Sequence, residues 1–296
     1  MIKDITAQLY SHTPSETLYH YTTFSGFMGI IQRKNLWASD IRYMNDSAEL
    51  RHTADLVKQE VNRRLTGGHP SPGLLTSFLD WIAHRITNGH MLFGASFRTH
   101  GNLLSQWRGY SSPGKGVSIG FNSENIMECA RRQSFEVGKC IYDQETQRHL
   151  ISQVLDAVEH IYRMQSAALL AADSRQPVQS LYPGLFNEIE SDLLRIAAVL
   201  KHPSFQEEEE WRIVSPVITD FLAAPVKFRE GASMLVPYFE FNLLTGDEKH
   251  FPLEHLYLGP TSYVELSMNS IAMYLAKSGI KPRRGVDYCQ IPYRQR

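Results

Sequence analysis

From about 145 to 202 the chain carries an almost unbroken helical pattern, and short strand-like runs lie on both sides of it. Before it come apolar or alternating runs at 18–22, 36–39, 91–97, 117–121 and 135–142. After it come 211–217, 225–229, 234–242, 253–258 and 286–292. Runs this short cannot each bury a face alone, so the two groups must share one sheet system with the helices packed on it. Such an order excludes regular βαβ alternation. It predicts an α+β fold around a split or curved, mainly antiparallel sheet, one domain over 1–296 with a helical insertion at about 145–202. Further helices are expected at 24–32, capped by Thr22 or Thr23, and at 47–65, where Asp46 and Glu49 have capping-box spacing. Others are expected at 74–87, after a Gly- and Pro-rich breaker, and at 262–278.

Bulk properties narrow the function classes. Hydrophobic residues make up 43% and charged residues 21% of 296, the balance of an ordinary globular chain. A formal net charge of -1 supplies no global basic field for nucleic acid. Three scattered cysteines, Cys129, Cys140 and Cys289, make neither a disulfide framework nor a thiolate metal site, and suit a reducing cytoplasm. The first residues lack a signal-peptide core, and no apolar run reaches bilayer length. Gly114, Lys115, Gly116 and Gly120 have the wrong spacing for a phosphate loop and lead into a strand. No histidine pair, zinc pattern or nucleophile elbow is evident, so no metal is expected.

Three polar and aromatic groups remain. His20 and Tyr21 interrupt an apolar strand. Trp107, Arg108 and Tyr110 combine a guanidinium with rings, which suits a phosphate next to a stacked base and equally suits a plugged core. The third is EEEEWRIV at 207–214, with Ser118 in the 117–121 strand as an accessory. If the acidic run is a strand, Glu208, Glu210 and Arg212 share one face and Trp211 and Ile213 the other. Trp107 and Trp211 are expected to pack against each other.

The chain also resembles the bacterial family known as domain of unknown function 2971. The resemblance rests on 18–22, on Leu36 to Ser39 with Asn45, Asp46 and Glu49, and on 93–97. It continues through 104–110, 114–121, Phe205 with Glu208, Glu210, Trp211 and Arg212, 258–260 and 291–294. Cys289 departs from the serine expected before the terminal Ile-Pro-Tyr-Arg. At the fold level this family is similar to ADP-ribosyltransferases, whose split-sheet cleft binds NAD. That likeness implies a histidine, an aromatic or serine, and a glutamate in chain order, met here by His20, by Tyr110 or Ser118, and by Glu210. By this resemblance Glu210 stabilises an oxocarbenium-like cation or orients an acceptor, with Glu208 its rival. His20 would serve the adenosine-side ribose, Arg108 the pyrophosphate, and Tyr110 or Trp107 the nicotinamide, with Tyr21 and Ser118 also among the cofactor-binding residues. Arg212 would keep Glu210 ionised. The expectation is an NAD-using ADP-ribosyltransferase or NAD glycohydrolase with an unknown protein or nucleic-acid acceptor, in toxin or phage-defence biology. The alternatives are a non-catalytic nucleotide or nucleic-acid binding module, and a metal-dependent nuclease-like effector built on Glu208 and Glu210.

Overall fold

Alternation in the chain dictates most of the strands seen in a computed structural model of the protein, which describes residues 2–44, 48–110, 116–171, 177–244 and 251–290. In order, the chain runs α1 (Ile2–Leu9), β1 (Leu18–Thr23), α2 (Phe24–Arg33), β2 (Asn35–Asp40), α3 (Ala48–Thr66) and α4 (Pro72–Asn88). There follow β3 (Phe93–Phe97), α5 (Leu104–Tyr110), β4 (Gly116–Phe121), α6 (Ser123–Arg132), β5 (Glu136–Lys139), α7 (Gln144–Ala171) and α8 (Tyr182–Val199). The last part is β6 (Trp211–Val214), β7 (Lys227–Glu230), β8 (Leu235–Asn242), β9 (Leu253–Leu258), α9 (Val264–Lys277) and β10 (Val286–Tyr288).

The strands form two open sheets. One has the order β1-β4-β9-β10, antiparallel except for the β9–β10 pair. The other has the order β5-β6-β3-β2-β8-β7 and is antiparallel throughout. Each sheet combines strands from before and after the long helices, so neither sheet is complete without both groups. Among the described residues one backbone bridge joins the sheets, beside side-chain packing between them in a shared core. Tyr19 of β1 and Arg98, one residue past β3, exchange two backbone hydrogen bonds of 2.8 Å. Beyond that pair the sheets separate, and α2 packs against β1, β2 and β4 beside the gap. Thr23 caps α2, its hydroxyl accepting from the Gly26 amide at 3.2 Å.

Two large apolar cores result. One fills the space around the sheets, with Phe93, Phe97, Ile119, Phe121, Trp211, Ile213 and Phe241 buried in it. The other is helical, with Val57, Val61, Phe78, Val154, Leu155, Phe186 and Ile189 at its centre. The helical layer is broader than the expected insertion, because α1, α3 and α4 join α7 and α8. No helix among the described residues is long and apolar enough to cross a membrane.

Several boundaries move. The acidic residues do not enter a strand: 203–208 form a 3₁₀ turn, Glu209 takes a left-handed φ of 40°, and β6 begins only at Trp211. Residues 104–110, expected as a lead into a turn, form α5. Trp107 and Trp211 lie in different clusters, Trp107 against Tyr21 with ring centroids 4.8 Å apart and Trp211 in the main sheet core. The proposed capping box at Asp46 and Glu49, the 112–115 turn and the 291–294 motif lie outside the described residues or side chains.

Candidate functional site

Where the sheets part, they leave a cleft of about 820 Å³. Its walls come from β1 (Tyr19 to Thr23), from α2, from β2 (Leu36, Trp37, Ser39), and from Gly94, Ser96 and Arg98 along β3. Tyr110 of α5 and Arg229 with Glu230 of β7 complete it. The volume lies within the range of small-molecule sites.

Arg98 is the floor. Alternation along β3 puts Gly94, Ser96 and Arg98 on one face. Arg98 is 3% exposed and its guanidinium is held from behind. Nε donates to Gln106 Oε1 at 3.1 Å and Nη1 to the Phe97 carbonyl at 3.3 Å. Nη2 lies 2.8 Å from Glu208 Oε2, and Nη1 3.2 Å from Glu210 Oε2. Burial disfavours its charge, but Glu210 and Glu208 outweigh that and raise its pKa above the ordinary guanidinium value. The Tyr110 ring stands 5.8 Å from the guanidinium carbon, close enough for a cation–π contact.

Behind Arg98 lies a buried ion cluster. Lys201 Nζ donates to Glu208 Oε2 at 2.5 Å and to Glu210 Oε2. Arg212 grips Glu210 Oε1 through Nε at 2.9 Å and Nη2 at 2.7 Å, and its Nη1 donates to the Ala198 carbonyl at 2.7 Å. Gln106 Nε2 donates to Glu208 Oε1 at 3.2 Å. Burial alone would raise the Glu210 carboxyl, yet Arg212, Arg98 and Lys201 hold it well below the usual carboxylate range. Among the described residues three cations meet two carboxylates, and of these five groups Arg98 is the one that lines the cleft.

His20 sits beside this floor. Its Nδ1 lies 3.1 Å from the Ser96 carbonyl. A carbonyl only accepts, so Nδ1 carries the proton and Nε2 is left as an acceptor. Burial lowers the imidazole pKa, with Arg98 pushing the same way and the Ser96 bond opposing. At neutral pH His20 is therefore the uncharged tautomer, suited to receive a hydrogen bond from a hydroxyl.

Of the residues picked from the sequence, His20, Tyr21 and Tyr110 line the cleft. Tyr21 is also a strut, its hydroxyl donating to the His100 carbonyl at 2.8 Å and accepting from the Leu103 amide at 2.9 Å. Glu208, Glu210 and Arg212 come together as foreseen, but behind Arg98 and not on the cleft wall; Glu210 is 0% exposed. Trp107 is buried, its indole donating to Asn102 Oδ1 at 2.9 Å. Ser118 is buried in β4 opposite Tyr21. Arg108 is exposed and does not line the cleft. The guanidinium at the floor is Arg98, and the signal for it was available, because Gly94, Ser96 and Arg98 continue the alternation of the 91–97 run. Lys201 carried no such signal, since its importance comes from folding the end of α8 onto β6.

A split-sheet α+β protein with a cationic cleft between its sheets is the class that these features define. Residues 106–213, about a third of the chain, match the model of the family described as protein of unknown function (DUF2971), which supports the resemblance to it. The matched stretch holds the ion-cluster residues Lys201, Glu208, Glu210 and Arg212, while His20 and Arg98 lie before it. No curated protein and no solved structure matches the chain.

Proposed function

We propose that the cleft binds NAD or a related nucleotide and that the protein is an ADP-ribosyltransferase-like enzyme, transferring ADP-ribose to an acceptor or hydrolysing the nicotinamide–ribose bond. The observation that carries the binding half is Arg98, a buried guanidinium at the floor of an open cleft. An anionic group such as a pyrophosphate satisfies that charge, and a guanidinium fork matches phosphate geometry. His20 Nε2 then accepts from a ribose hydroxyl, and the Tyr110 ring offers a face to the nicotinamide or the base.

Cleavage of the nicotinamide bond needs a carboxylate near the developing oxocarbenium ion. Glu208 and Glu210 are the nearest acids to the floor, and both are engaged by cations. That observation favours a second reading, a nucleotide-binding module without turnover. It weighs against the metal-dependent nuclease reading, because a divalent cation would have to displace Lys201 and Arg98 from the same oxygens.

Titrating NAD into folded protein tests binding, and following nicotinamide release in the same samples tests turnover. Wild type is expected to bind, and His20→Ala to bind roughly tenfold more weakly, as loss of one buried hydrogen bond implies. Below pH 6.5 binding is expected to weaken as the His20 imidazole gains a proton and loses its acceptor. Its lowered pKa keeps the neutral form dominant above that point. Binding with no nicotinamide release selects the module. No binding by folded wild type overturns both readings.

A further inference from the structure

Arg229 is the second guanidinium of the cleft wall that has a defined anchor, and its surroundings differ from those of Arg98. It is half-buried on β7 and its Nη2 donates to Ser39 Oγ at 3.2 Å. No carboxylate among the described residues lies within 4.0 Å of it, and that neutral hydroxyl is its one hydrogen-bond partner there. Burial pulls its pKa down, with only Tyr238 opposing. A partly desolvated cation without an acid is costly unless a ligand supplies the anion.

Its place in the sheet fixes how far it stands from the floor. Ser39 pairs with Gly94 across β2 and β3, and Arg98 lies four residues further along the same line. At strand rise that is about 13 Å between the backbones of Gly94, beside Ser39, and Arg98. Both guanidinia are tethered, Arg98 to Gln106 and the two glutamates and Arg229 to Ser39, so one phosphate does not bridge them. Between them, on the same face of β2 as Ser39, Trp37 is 40% exposed with its ring 4.6 Å from that of Tyr238. The wall therefore reads guanidinium, aromatic surface, guanidinium.

We propose that Arg229 and Ser39 form a second anion subsite, which takes a phosphate monoester on the ribose of a dinucleotide whose pyrophosphate lies at Arg98. The cleft then selects a 2′-phosphorylated nucleotide of the NADP class over NAD. This rests on the nucleotide reading above for its ligand, but the anion subsite itself does not.

Binding of NADP and NAD to wild type and to Arg229→Gln tests it. Wild type is expected to bind NADP at least tenfold more tightly than NAD. Arg229→Gln is expected to erase that preference while leaving NAD affinity within twofold. Equal affinities in wild type, or a preference that survives the substitution, overturns the proposal. Inorganic phosphate separates the two layers of the argument, since it should raise the Tm of wild type more than that of Arg229→Gln. If neither nucleotide binds but the phosphate response drops in the variant, the anion subsite stands and the nucleotide reading falls. If the phosphate response is the same in both proteins, the subsite is overturned whatever the nucleotides do.

Discussion

Lys201, Arg98 and Arg212 converge on two carboxylates, and the count of charges decides what each residue does. Removing Glu210 leaves three buried cations against one acid. Taking one partner from a buried ion group costs far more than its net contribution, because the remaining charges lose their compensation. Glu210→Gln is therefore expected to destabilise the protein by about 3–5 kcal/mol, read by urea denaturation. A loss below 1 kcal/mol would mean that the cluster is solvated. The pH dependence follows from the same site. The folded Glu210 carboxyl titrates well below its ordinary 4.5, so the folded state binds fewer protons than the unfolded state in that window. Its contribution is fully present above pH 4.5 and is lost as pH falls through the folded value. The stability difference between wild type and Glu210→Gln should accordingly shrink on acidification below pH 4.5 and stay level above it. Loss of nicotinamide release in this variant would not identify a catalytic group unless the variant's fold is first shown intact.

At the scale of elements, the meeting of β1 with the end of β3 sets the cleft. Gly101 sits just beyond Arg98, where a Cβ would come within 2.5 Å of Tyr19 Cε1 and 2.7 Å of Tyr257 Cδ2. Gly101→Ala must push apart rings that are already packed, at about 1–3 kcal/mol. Because Tyr19 lines the cleft, nucleotide affinity should fall with it; a variant as stable as wild type with unchanged affinity would remove Gly101 from the joint. The strands themselves were legible, since the runs at 18–22, 117–121 and 253–258 reappear as β1, β4 and β9, although β4 is buried along its whole length. The cap of α2 was legible too, as Thr23. The acidic run was not, because alternation extended upstream of Trp211 ignores the left-handed turn at Glu209, a conformation that no side-chain pattern announces. Arg98 lies one residue past the 91–97 run, beyond the apolar pattern that marks the strand, and Arg108, the guanidinium beside the aromatic pair in sequence, is turned outward by α5.

The whole molecule is two large cores joined by a smaller apolar cluster, which includes Leu194 and Ala198 of α8 with Val214 of β6, and by charged ties and backbone bridges. Lys201 follows α8 and reaches Glu208 and Glu210, Arg212 of β6 holds the α8 carbonyl of Ala198, and Ile141 bridges Leu200. That coupling was beyond a sequence reading, because it pairs positions whose separation says nothing about their contact. It also predicts how a ligand is felt. A nucleotide seated on Arg98 touches the backbone bridge between the sheets, and through Arg98 the cluster that ties them to the helices. Ligand that binds only the folded state adds about 2.7 kcal/mol at a hundred times its Kd, which slows amide exchange about a hundredfold wherever exchange requires release. Hydrogen exchange of the NAD complex should then show that protection in β1 and β3 together, and in β6 behind them. Protection confined to β1, or to β2 and β8 alone, would place the ligand on one sheet and separate binding from the ion cluster. Protection across β1, β3 and β6 means that the ligand is felt behind the cleft wall, since β6 does not line the cleft and is reached from it through its pairing with β3 and through the ion cluster behind Arg98.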